Sequence, residues 1–198
     1  HNASGLYREG ATAKRKLDEA RERLAVLLGC DAERIVFTSG ATESNNALFH
    51  ALSARVAADS VVLASQMEHP SVREALRGSF RTRVRSVRTL PEGVVDLEDM
   101  AAQVSGHSRP ALVTLIAASN ETGTLQPWHE AQALCQKHGV PFHSDATQWI
   151  GKLSASALGE CDYVTGSGHK FGAPKGVGFL VMRDEPSLGA FYQAILAP

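Results

Sequence analysis

The chain has 198 residues, of which 43% are hydrophobic and 21% charged, as in an ordinary globular protein. Its formal net charge is −1, so it lacks the Lys and Arg excess of a nucleic-acid-binding domain, and we expect no nucleic-acid partner. No apolar run reaches the length of a membrane span and no signal-peptide pattern opens the chain, so we expect no membrane partner and a cytoplasmic location.

The metal-binding and redox residues of the chain form no recognisable cluster. Cys30, Cys135 and Cys161 are widely spaced and odd in number, which favours a reducing compartment over a disulfide framework. The eight histidines show no metal-ligand spacing. We therefore expect no metal.

Apolar runs alternate with amphipathic stretches along the whole chain. This alternation predicts the α/β class: a mostly parallel sheet with helices on both faces, in a single domain over residues 1–198. Gly29 and Gly139 are expected to end helices, and Asp96 to cap one. The predicted helices are residues 11–29, 41–58, a short stretch after Pro70, 96–104 and 128–138. The predicted strands are residues 34–38, 60–65, 83–90, 111–119, 140–145, 162–167 and 176–183.

Five of these strands end in polar clusters. The clusters read "TSGATESNN", "QMEHPS", "SNETG", "HSDATQ" and "GSGHK" in chain order. In an open α/β sheet, ligands bind beyond the carboxyl ends of the strands. The five clusters therefore predict a single binding site at one edge of the sheet.

The first cluster predicts an anion site. Gly40 separates a strand from a helix that begins at Ala41 and Thr42, so free backbone N–H groups and the Thr42 hydroxyl face one point. The alternative is that Thr38 or Ser39 simply caps the helix. Neither a P-loop nor a GxGxxG motif is present, so a nucleoside triphosphate or dinucleotide is not supported.

Each remaining polar residue has an ordinary structural explanation when taken alone. Asp145 could cap a helix, His69 could be a satisfied loop histidine, Asn120 could form a turn, and Lys170 could be a surface charge. Together with the anion site at Ala41 and Thr42, these residues form the set that pyridoxal phosphate requires: an amine for the aldehyde, a carboxylate for the pyridine nitrogen and a site for the phosphate. Five glycines between Val164 and Phe179 are expected to let the backbone approach the cofactor.

At these residues the sequence resembles the cysteine desulfurase family, in the class V group of pyridoxal-phosphate enzymes. The matching segments are "FTSGATESNN", "EHPSV", "NETG.LQP", "H.DATQ..GK" and "S.HKFGAPKGVGFL", in the family's order over most of the chain. The resemblance implies the large domain of a fold type I transferase and pyridoxal 5'-phosphate as its cofactor. The motifs are highly specific for fold and cofactor and less specific for substrate.

The resemblance also implies a role for each matched position. Lys170 is expected to be the Schiff-base lysine, Asp145 the partner of the pyridinium nitrogen, and His69 a ring that stacks on the cofactor and assists proton transfer. Gln148 and Asn120 are expected to hydrogen-bond near the phenolic oxygen. The phosphate contacts are expected from Ala41 through its N–H, Thr42, Ser167 and His169.

The chain departs mildly from the family's usual pattern. Ser119, Gly168 and Thr147 stand where the family usually has Asn, Ala and a small apolar residue, and none of these changes removes a needed group. The family's small domain, its substrate-carboxylate arginine, the partner subunit's phosphate contact and the loop with the catalytic cysteine are expected beyond Pro198. None of the three cysteines here is expected to be the nucleophile, because none lies at the strand-end edge.

The activity that the resemblance implies is removal of sulfur from L-cysteine, giving alanine and an enzyme persulfide. A homodimer, a sulfur-acceptor protein and a role in iron-sulfur cluster assembly are expected with it. A selenocysteine lyase or another class V aminotransferase is the alternative. A non-catalytic scaffold for sulfur transfer is disfavoured, because a scaffold needs none of Lys170, Asp145, His69 and Gln148.

Overall fold

A seven-stranded sheet forms the centre of the computed structural model, which describes residues 2, 3, 5 and 7–183. Its order is β1-β7-β6-β5-β4-β2-β3, and only β7 pairs antiparallel with its neighbours among the described strands. The predicted mostly parallel sheet is confirmed, strand for strand. The strands are β1 Ile35–Thr38, β2 Val62–Ser65, β3 Val84–Val87, β4 Leu112–Thr114, β5 Phe142–Asp145, β6 Tyr163–Ser167 and β7 Gly178–Val181.

Helices cover both faces of the sheet and bury two apolar cores. The first core includes Leu48 and Phe80, from the two helices on one face, and the second includes Leu28, Met100 and Trp128 from the three on the other. Among the described residues, no helix combines the length and apolarity that crossing a membrane requires. The helices are α1 Arg8–Leu28, α2 Ala41–Arg55, α3 Pro70–Phe80, α4 Leu97–Ser105 and α5 Trp128–His138.

Three of the predicted helix ends have the geometry that the sequence indicates. Gly29 and Gly139 follow α1 and α5 in the left-handed conformation, with φ of 72° and 66°. Asp96 caps α4 by accepting hydrogen bonds from the N–H groups of Glu98 and Asp99. The small domain expected beyond Pro198 lies outside the described residues.

Strand β4 is shorter than predicted, since it ends at Thr114 rather than at residue 119. Beyond Thr114 the segment still pairs with β5, because Ala117 N–H donates to the Asp145 carbonyl at 3.0 Å. On its other side β2 has already ended, and Ile116 N–H donates to the Glu68 carboxyl group at 2.7 Å. The Glu68 side chain thus accepts the backbone hydrogen bond that a neighbouring strand would otherwise accept. No local pattern in residues 111–119 predicts this contact.

The glycine-rich stretch also serves contacts within the chain. A Cβ on Gly178 would lie 2.4 Å from the Cα of Gly40, so β7 passes close to the β1–α2 loop only without a side chain there. A Cβ on Gly166 would lie 2.6 Å from the ring of Phe179. These two glycines are therefore explained by packing around the site rather than by approach to a cofactor.

Candidate active site

A cavity of about 220 Å³ lies at the edge where β1, β2, β4, β5 and β6 end. All nine site residues predicted from the sequence line it, so the structure brings together five segments that are distant in the chain. Their individual roles stay predictions. The nine are Ala41, Thr42, His69, Asn120, Asp145, Gln148, Ser167, His169 and Lys170. Three further residues that the sequence did not single out as site residues also line the cavity: Ser71, Ile116 and Thr147.

The N-terminus of α2 forms one end of the cavity. Gly40 is the N-cap and no side chain caps the helix, so the alternative in which Thr38 or Ser39 serves only as a cap is wrong. Ala41 N–H donates to the Ser167 hydroxyl at 2.8 Å, which joins two of the predicted phosphate contacts at one point. The following N–H groups of the first turn have no partner within the helix, and together with the positive end of the helix dipole they favour an anion here.

Asp145 ends β5 and is only 2% exposed. Its Oδ1 accepts a hydrogen bond from Thr147 N–H at 3.0 Å, so it does make the bond of a capping residue. Its Oδ2 has a longer contact, 3.5 Å, with Nδ2 of Asn45. A buried carboxylate with no cation among these contacts is suited to a positively charged ligand group.

His69 is the N-cap of α3, and its half-buried ring lines the cavity. Its Nδ1 accepts from Ser71 N–H at 3.1 Å and lies 2.8 Å from the Ser71 hydroxyl. The loop-histidine interpretation is therefore correct for one ring nitrogen, and the rest of the ring is available to the cavity.

Lys170 ends a short 3₁₀ turn, Gly168–Lys170, that follows β6 directly. The turn is held at its start by Gly168 N–H, which donates to the Val177 carbonyl at 2.9 Å. Lys170 is exposed and lines the cavity, so its amine is accessible to a ligand.

Asn120 lies in the turn after β4. Two side-chain hydrogen bonds of this turn are made by Ser119, whose hydroxyl accepts from the N–H groups of Glu121 and Thr122 at 3.2 Å each. The turn-forming role therefore falls to Ser119, and the exposed Asn120 amide is left to face the cavity.

Glu68 is a buried acid beside the site that the sequence analysis did not select. Burial, and secondly the charge of Asp145, raise the pKa of Glu68 to about 8, so this carboxyl group keeps its proton near neutral pH. Its Oε1 accepts from Ile116 N–H, and its Oε2 is buried without a hydrogen-bond partner among the described residues. The sequence signal was its position in the "EHP" motif at the end of β2.

Glu68 makes the stability of the protein depend on pH. Its pKa is about 8 in the folded chain and about 4.5 when unfolded, so between these values the folded state binds more protons and loses stability as pH rises. We expect Glu68→Gln to match the free energy of unfolding of the parent at about pH 5 and to exceed it by roughly 2 kcal/mol or more at about pH 9. Urea unfolding of the cofactor-free protein measures this.

A matched control for Glu68→Gln is Glu74→Gln, because Glu74 lies on α3 as an exposed residue paired with Arg77. This variant is expected to follow the parent's pH dependence. Parallel stability curves for Glu68→Gln and the parent would contradict the assignment of a buried, protonated Glu68.

The seven-stranded sheet and the helices on its two faces define the α/β fold of fold type I transferases. The chain belongs to the aminotransferase class V family, whose model matches residues 1–190. Cysteine desulfurases are among its relatives: it is 35% identical over 190 residues to the mitosomal cysteine desulfurase of Encephalitozoon cuniculi, an alignment that covers 92% of this chain and 43% of that protein.

Solved structures agree with this family and with the fold. A NifS-like protein superposes with a TM-score of 0.85 at 32% identity, over 92% of this chain and 51% of the other. A structure of SspA in complex with cysteine also gives a TM-score of 0.85, at 31% identity, over 93% of this chain and 54% of the other. The chain therefore spans about half the length of these relatives.

The cavity residues fit pyridoxal phosphate, the cofactor that the family implies. An uncapped helix N-terminus suits the phosphate, a buried carboxylate suits a protonated ring nitrogen, and an accessible amine suits the aldehyde. The hydroxyl oxygen of Thr147, also in the cavity lining, is buried without a hydrogen-bond partner among the described residues. An unsatisfied buried hydroxyl at this position indicates a polar ligand.

Proposed function

We propose that the protein is a pyridoxal-phosphate-dependent cysteine desulfurase, which converts L-cysteine to alanine and an enzyme persulfide. The observation that carries the proposal is the meeting of Lys170, Asp145, His69 and an uncapped helix end in one cavity. It is supported by relatives named as cysteine desulfurases and by a structural neighbour in complex with cysteine.

Each group in the cavity has a defined task in this reaction. When bound, the cofactor supplies a cationic ring that withdraws electrons from the α-carbon of the substrate. The Lys170 amine would hold the cofactor aldehyde and, when free, would take the α-proton of the substrate. The Asp145 carboxylate would hold a proton at the ring nitrogen, and the His69 ring would contact the cofactor ring. The phosphate would be held at the start of α2 by Ala41 N–H, Thr42, Ser167 and His169.

Sulfur leaves by transfer to a thiolate of the enzyme. The thiolate attacks the substrate sulfur, and the Cβ–S bond breaks with its electron pair left on Cβ. Cβ then takes a proton, and the α-carbon regains the proton it lost, which gives alanine. Such a nucleophile must be exposed and ionised.

None of the three cysteines of this chain meets these requirements. Cys135 and Cys161 are fully buried, and burial raises the pKa of the Cys135 thiol to about 12 and that of Cys161 as well. Burial also raises the pKa of Cys30, which is half-buried. None of them lines the cavity.

The experiment that tests the function is incubation of the full-length protein with L-cysteine, with alanine and protein persulfide both measured. We expect a variant with Cys30, Cys135 and Cys161 all replaced by alanine to form alanine within about twofold of the parent rate, because the nucleophile lies elsewhere. Alanine is preferred to serine as the replacement, because a serine hydroxyl at the buried positions 135 and 161 would lack a hydrogen-bond partner.

One outcome would contradict the position of the nucleophile, and another would contradict the identity of the substrate. Loss of persulfide from the triple variant, with fold and cofactor intact, would place the nucleophile among these three residues. Turnover of selenocysteine without turnover of cysteine would overturn the substrate.

Four further parts of the proposal follow from the resemblance and stay predictions. They are assembly as a homodimer, transfer of sulfur to an acceptor protein, a role in iron-sulfur cluster assembly, and a cytoplasmic location. The homodimer is the most direct to measure, by light scattering of the full-length protein.

A further inference from the structure

A buried chain of side-chain hydrogen bonds passes behind the cavity, with Asn45 at its centre. Asn45 is fully buried on α2, and its Oδ1 accepts from the Thr165 hydroxyl at 2.8 Å. Thr165 Oγ1 lies 3.1 Å from Nε2 of His143, whose Nδ1 lies 2.7 Å from the Thr114 hydroxyl. Thr165, His143 and Thr114 are also fully buried.

The donor and acceptor of each hydrogen bond in this series follow from the chemistry of the side chains that make it. The Asp145 carboxylate only accepts, so Asn45 presents Nδ2 to it and turns Oδ1 towards Thr165, which donates. Burial lowers the pKa of His143 to about 3, so its ring is neutral and has one donor and one acceptor. Because the Thr165 proton is already used, His143 donates from Nε2 and accepts at Nδ1 from Thr114.

A second series of hydrogen bonds runs from Asn45 through Ser71 to His69, which lines the cavity. Asn45 Nδ2 donates to the Ser71 hydroxyl at 3.0 Å. The Ser71 proton is therefore free to point at His69 Nδ1, 2.8 Å away, and Ser71 N–H donates to the same nitrogen at 3.1 Å. Two donors at Nδ1 require a lone pair there, so the hydrogen-bond geometry places the ring proton of His69 on Nε2.

We propose that Asn45 and Ser71 are positioning residues that join Asp145 and His69 into one hydrogen-bonded unit. The unit fixes the ring orientation of His69 and its Nε2–H tautomer, and it holds the Asp145 carboxylate against Asn45. The inference rests on the proposed function, since the roles of Asp145 and His69 are taken from it. It adds two residues, neither of which needs to touch the reacting atoms.

The test uses Ser71, which is half-buried, because removing its hydroxyl disturbs the fold less than any change at the fully buried Asn45. Ser71→Ala removes the hydroxyl, Ser71→Thr keeps it, and Ser79→Ala makes the same deletion at another half-buried position of α3. All three are made in the full-length protein. The readouts are the imidazole ¹⁵N resonances of the cofactor-free protein and, with cofactor bound, kcat and KM for L-cysteine.

We expect Ser71→Ala to move the His69 Nδ1 resonance towards that of an unbonded ring nitrogen and to lower kcat about fivefold, with KM within about twofold. Ser71→Thr and Ser79→Ala are expected to match the parent. A purely structural role for Ser71 would leave the Nδ1 resonance and kcat of the folded variant unchanged, and that result would overturn the proposal. A parent His69 with its proton on Nδ1 would also overturn it.

The two proposals fail in distinguishable ways. If the protein forms no alanine from cysteine, the proposed function fails, and the ¹⁵N resonances of the cofactor-free protein still decide the hydrogen bonding of His69. If the parent forms alanine and Ser71→Ala equals it in kcat and in the Nδ1 resonance, the positioning proposal fails while the function stands.

Discussion

Lys170→Ala is expected to lower alanine formation from L-cysteine by about 10³-fold or more, within the range for removal of a general base. The reason is that the Lys170 amine lines the cavity next to Asp145 and the N-terminus of α2, and no other lysine is among the lining residues. Lys175→Ala is the matched control, because Lys175 is an exposed lysine in the same glycine-rich stretch and lies outside the cavity lining. It is expected to retain parental activity.

A covalent label gives a readout of Lys170 that does not depend on turnover. Borohydride reduction of the cofactor-loaded protein, followed by peptide mapping, is expected to place the pyridoxyl group on Lys170. The competing position is Lys152, whose amine donates to the Lys170 carbonyl at 3.3 Å. A label on Lys152 or Lys175, or a Lys170→Ala variant with near-parental activity, would contradict the assignment.

The meeting of the site residues was predictable because it depends on strand direction alone. Parallel strands end at one edge of a sheet, so the polar residues that follow β2, β4, β5 and β6 were expected to lie near one another. Strand β1 joins them because β7, antiparallel to both β1 and β6, lies between them and so gives those two strands the same direction. Helix ends at Gly29 and Gly139 were predictable for a similarly local reason.

The contacts behind the site were not predictable, because they join residues that no local pattern connects. Asn45 and Thr165 are 120 positions apart, and Glu68 and Ile116 are 48 apart. The raised pKa of Glu68 depends on burial and on Asp145, and both arise only when β2, β4 and β5 are assembled. The early end of β4 has the same origin, since the Glu68 side chain substitutes for a strand at Ile116.

Asp145→Asn is expected to keep the fold and the cofactor but to lower kcat by roughly 10²–10³-fold, the usual cost of removing one preorganised electrostatic partner. The asparagine oxygen can still accept from Thr147 N–H, so the capping bond at 3.0 Å survives, while the negative charge that keeps the ring nitrogen protonated is lost.

The matched control is Asp162→Asn, because the Asp162 carboxylate also accepts a backbone N–H bond, from Phe142 at 2.9 Å, but lies at the opposite end of β6. We expect this control to retain parental kcat. Removing the Asp145 charge also removes one of the two causes that raise the pKa of Glu68, so the upper end of the pH range over which the protein loses stability is expected to fall in Asp145→Asn. A kcat within a few-fold of the parent, with that pH range unchanged, would mean that Asp145 serves only as a cap and that the electrostatic account of the site is wrong.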